Sequence, residues 1–95
     1  MSRKLQVVRA EALFASTLQS SEPASSDEVR EAVAMTLRRF GIRGCAIRMA
    51  GEFGDHPDTA ARRMTWALAT IRAVYPTRSR ATTPGETRSP LALAG

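Results

Sequence analysis

An all-α domain of four helices is the fold this sequence predicts, with a flexible tail behind it. Three observations carry that expectation. Apolar residues recur at three- and four-residue spacing, while strand-type alternation is absent. Serine, glycine and proline stand where helices should start and stop. From Pro76 onward the chain reads PTRSRATTPGETRSPLALAG, which offers few large apolar groups to repay the entropy of ordering. The domain is therefore placed at residues 1–75 and the tail at residues 76–95. A core this small is marginal alone, and association with a second copy would help it.

The first helix is expected over residues 2–19, with Leu5, Val8, Ala12, Ala15 and Leu18 near one face and Val7 and Phe14 alongside. The loop QSSEPASS ends it. The second begins after Ser25, which has Glu28 three places later, the spacing of a capping box. Asp27 and Glu28 suit its first turn and Arg38 and Arg39 its last, as the helix dipole favours. Val29, Ala32, Val33, Thr36, Leu37 and Phe40 form its apolar side, and Gly41 is read as its stop. A shorter third helix is expected over residues 43–53, with Ile42, Ala46, Ile47, Ala50 and Phe53 on one side. Gly51 weakens it by about 1 kcal/mol relative to alanine. The fourth should open at Pro57, a residue tolerated in the first helical position, and stop at Pro76. Its stripe is Ala60, Met64, Ala67, Leu68, Ile71 and Val74.

Composition excludes several function classes. Cys45 is the sole cysteine, so no intramolecular disulfide forms, and the sole histidine, His56, lies eleven residues away, which is not metal-ligand spacing. No cofactor motif, nucleophile–base pair or paired acid–base set is present, so an enzyme is not expected. No apolar run approaches the roughly 20 residues that span a bilayer. The opening MSRKLQVVRAEALFAS is basic and then apolar, but Arg9 and Glu11 interrupt it, which argues against a signal peptide and for a cytoplasmic protein.

The formal net charge is +5. Residues 57–75 and the tail carry +2 each, residues 1–22 carry +1, and residues 23–56 sum to zero. A basic last helix suits nucleic acid, although the bias is modest. Thirteen of the fourteen basic residues are arginine. Arginine binds phosphates and base edges bidentately, but the codon usage of a GC-rich genome produces the same bias.

The segment RMAGEFGDHPDTAARRM, residues 48–64, carries the functional expectation. Ala50, Gly54, Thr59 and Met64 fit the pattern A-x-x-x-G-x-x-x-x-T-x-x-x-x-L/M, so residues 46–66 resemble bacterial helix-turn-helix segments. That resemblance implies a left-handed turn at Gly54 and a reading helix after it. It implies DNA contacts from His56, Thr59, Arg62, Arg63 and Trp66. Asp55 stands where the pattern usually has an apolar residue. The strings RGCA, EFGDHP and TAARRM also resemble small actinomycete proteins, which implies a bacterial source. Each candidate has a plainer reading. Arg62 and Arg63 suit a solvated face or a bridge to Asp58, Trp66 an interface anchor or the core, and His56 a local cap. Cys45, beside Ala46 and Ile47, reads as buried. Two functions follow. The first is a small DNA-binding protein, a transcriptional regulator or nucleoid-type factor that binds double-stranded DNA as a homodimer. The second is a protein-interaction module, an adaptor for a regulator or polymerase subunit.

Overall fold

The computed structural model describes residues 2–76, apart from the side chains of Ser2 and Arg3. These residues form three helices, α1 (Ser2–Ala15), α2 (Ser26–Asp55) and α3 (Pro57–Val74), and no strand. The expectation of an all-α fold holds, but the count of four helices is corrected to three. The expected second and third helices run into one another at Gly41 with no loop between them. Apart from Pro76, the tail expected over residues 76–95 lies outside the described residues.

Gly41 is the point of difference. Its φ of 75° and ψ of 170° break the helical geometry, yet the helix resumes at once. This backbone region is open essentially to glycine alone. The bend is sharp. Nine residues of straight helix would rise about 13.5 Å, whereas the Cys45 thiol lies 3.9 Å from the Thr36 carbonyl oxygen. Gly44 completes the elbow, because a Cβ there would stand 2.9 Å from the Phe40 Cβ. Two glycines thus serve two needs, one the turn and the other close approach. The arms of α2 are residues 26–40 and 42–55.

Caps explain the other boundaries. The capping box forms as its spacing predicts: Glu28 N–H donates to Ser25 Oγ at 3.1 Å and Ser25 N–H to Glu28 Oε1 at 2.8 Å. The first helix ends at Ala15, four residues early. Ser16 turns its hydroxyl back onto the Leu13 carbonyl at 2.6 Å, and serine side chains compete with helix propagation in this way. The α2–α3 link is the single residue His56. Its N–H donates to the Glu52 carbonyl at 2.7 Å, and its own carbonyl accepts from Ala60 N–H at 2.8 Å.

The core joins Ala10, Ala12, Leu13 and Phe14 of α1, Val29, Val33 and Cys45 of α2, and Ala60, Ala67, Ile71 and Val74 of α3. Phe14 stacks on Phe53 with centroids 6.0 Å apart. The buried Thr36 hydroxyl donates to the Ala32 carbonyl at 2.7 Å, so it is satisfied. The stripes expected for the first arm of α2 and for α3 are the inward ones. Two others are corrected in part. In α1 the expected Ala12 and Phe14 are buried together with Ala10 and Leu13, while Leu5 and Val7 are exposed. In the second arm Cys45 and Met49 turn inward beside the expected Phe53, whereas Ile42, Ile47 and Ala50 are exposed. The bend resets the rotational register, which a continuous pattern cannot show.

Gly54 is helical, and a Cβ there would meet nothing within 4 Å. The left-handed turn implied for it is absent. Gly54→Ala should therefore raise stability by about 0.5–1 kcal/mol, measured by urea unfolding. A fall would mean that the residue does form the turn.

Candidate interaction surface

The five residues expected to read DNA separate into two groups. His56, Thr59 and Arg62 are exposed. Arg63 and Trp66 turn toward α1. The Arg63 Nε donates to the Phe14 carbonyl at 2.9 Å. Its Nη2 donates to the carbonyls of Leu18 at 2.8 Å, Ser16 at 3.1 Å and Leu13 at 3.4 Å. They cluster at the C-terminal end of α1 and the turn after it, where the helix dipole favours a cation. The guanidinium also lies over Trp66, 4.8 Å from the ring centroid, and 5.8 Å from that of Phe14. Desolvation pulls its pKa below the usual arginine value, and Glu52 acts in the opposite direction. Arg63 therefore clamps α3 to the end of α1 through its Nε and Nη2. Trp66 is half-buried against the core beneath it.

The same device recurs at the other end. Arg30 Nη2 donates to the Val74 carbonyl at 3.2 Å, and Gln6 Nε2 to the Tyr75 carbonyl at 3.1 Å. The guanidinium carbons of Arg9 and Arg30 lie 4.0 and 5.7 Å from the Tyr75 ring centroid. Two of the thirteen arginines thus serve carbonyls at helix ends, Arg63 through several donors and Arg30 through one.

The remaining basic residues gather at the elbow. Between Glu31 and Glu52 the chain has Arg38, Arg39, Arg43 and Arg48 and no acid. All four are exposed. Arg48 stacks on Phe40 with its guanidinium carbon 3.8 Å from the centroid, and Arg39 approaches the same ring at 5.3 Å. Stacking holds the guanidinium plane while its edge donors stay free. Among them stand large exposed apolar side chains: Met35 at 53%, Ile42 at 60% and Ile47 at 67% exposure.

Two hollows flank this region and share Ala15, Ser16, Thr17 and Arg48. One of about 350 Å³ is bordered by Met35, Arg39 and Phe40. The other, about 470 Å³, is bordered by Arg63, Glu52 and Asp55. Among the described residues no group of three or more His, Cys, Asp or Glu side chains is placed to hold a metal ion. Cys45 is buried, as expected. Burial pushes its thiol pKa up, Glu11 adds to that, and Arg48 opposes it. A buried, protonated thiol is a poor nucleophile. No described helix is long and apolar enough to cross a membrane.

Compared with known protein families, curated proteins and solved structures, the chain matches none. The surface at the elbow rests on geometry and charge alone. The sequence did hold one signal for it, the acid-free stretch from residue 32 to residue 51. Summing charge over residues 23–56 conceals that stretch, because acids at both ends cancel it.

Proposed function

We propose that the chain is a protein-interaction module whose contact surface is the second arm of α2. One observation carries this reading. Ile47 is two-thirds exposed, with Arg43 and Arg48 beside it on the helix. A large aliphatic group set among arginines resembles an interface anchor with a polar rim. A nucleic-acid backbone would give it nothing apolar to bury against. The reading for double-stranded DNA keeps His56, Thr59 and Arg62 but loses Arg63 and the left-handed Gly54. Glu52, Asp55 and Asp58 also lie near that face and would repel phosphates.

Affinity capture from nuclease-treated cells of the source organism, followed by gel shift with duplex DNA at two salt concentrations, tests the proposal. A partner that survives the nuclease and is lost with Ile47→Ser supports it. Salt-sensitive binding to the duplex, lost with Arg62→Ala and kept with Ile47→Ser, would return the DNA reading.

A further inference from the structure

The first arm of α2 carries a second, separate pattern on its outer side. Glu28, Glu31, Met35 and Arg38 follow one another at spacings of three, four and three, the spacing of a coiled-coil seam. Every one of them is exposed, so the seam is not used within the chain. Its chemistry is polar at the ends and apolar at the centre. The acids stand before Met35 and Arg38 with Arg39 after it. A parallel partner with the same seam would set acid on acid and arginine on arginine. An antiparallel copy would set opposite charges together.

We propose that two copies of this chain associate through this seam, antiparallel, with Met35 of each on the two-fold axis. The register follows from helix geometry. Glu31 lies four residues before Met35 and Arg38 three after it, both on one flank of the stripe. Reversal about Met35 brings Arg38 to within about 1.5 Å, measured along the axis, of Glu31 of the second copy. Arg39 on the other flank comes within about 4.5 Å, along the axis, of Glu28 of the second copy, inside an arginine's reach. Both pairings repeat by symmetry, so four oppositely charged pairs flank the two methionines. Met35 borders the hollow of about 350 Å³ on its Arg39 flank. The proposal is independent of the contact proposed for Ile47, which lies on the other arm.

Sedimentation equilibrium on the full chain tests it, with circular dichroism to show that each variant stays folded. Glu28 is left unchanged because its carboxylate holds the capping box. Wild type should be a dimer whose dissociation constant rises with salt. Glu31→Arg alone and Arg38→Glu alone should each weaken it at least about tenfold, since each sets like charges opposite one another. The double variant Glu31→Arg/Arg38→Glu should return to within about threefold of wild type, because the charges are exchanged and not removed. Mixing the two single variants should give a heterodimer that neither forms alone. A chain that stays monomeric at millimolar concentration would overturn the proposal, as would a dimer indifferent to both single changes. Two single effects that simply add in the double variant would overturn the pairing of Glu31 with Arg38.

Discussion

Arg63→Ala should lower the stability of the domain by about 2–4 kcal/mol, more than an exposed helix residue ever contributes. The side chain donates to four carbonyls around the end of α1. Each charged hydrogen bond is worth about 1.5–3 kcal/mol net, and the half-exposed setting reduces their sum because water replaces part of what is lost. A domain of this size has about 4–11 kcal/mol in total, so the loss is a large share. The melting temperature should fall by roughly 10–25 °C. Arg63→Lys should recover only part of it, since one ammonium cannot span carbonyls that a planar fork reaches together. Far-UV circular dichroism melts measure both. A change in Tm of only a degree or two for Arg63→Ala would show that the guanidinium is not a clamp. It would restore Arg63 as a free surface cation.

Gly41→Ala should cost about 1–3 kcal/mol through the backbone alone. A Cβ at this position meets nothing within 4 Å, so no collision contributes. The substitution also raises the helix propensity of residues 26–55 and so favours a straight α2. Straightening would withdraw Cys45 from Thr36 and expose a side chain that is now 1% accessible. Lower stability in urea should therefore accompany faster labelling of the Cys45 thiol by a maleimide at neutral pH. Unchanged stability together with slow labelling would mean that α2 does not bend at Gly41.

These two positions also show what could be read in the sequence. Ser25 and Glu28 gave the start of α2 because a capping box is local and needs no tertiary contact. The α3 stripe of Ala60, Ala67, Ile71 and Val74 was legible because one uninterrupted helix keeps its phase over the whole length. Gly41 was legible as a breaker but not as a bend. A glycine that ends a helix and one that turns it look alike until the next residues are weighed, and in IRGCAIR only Gly44 is a loop former. Once the bend resets the register, Ile42 and Ile47 leave the inner face and Cys45 takes their place. Arg63 was hidden for another reason. Its partners are backbone carbonyls, and carbonyls carry no residue identity that a spacing argument could find. Arg62, one place earlier, has the same sequence signature and the opposite fate.

The contact surface divides the two functional readings in space, since Ile47 is on α2 and Arg62 on α3. Site-specific photo-crosslinking inside the producing cells tests that division most directly. A benzophenone side chain would be placed at position 47 in one variant and at position 62 in another. A discrete protein adduct is expected from position 47 and none from position 62. A nucleic-acid adduct from position 62, with nothing captured at position 47, would contradict it.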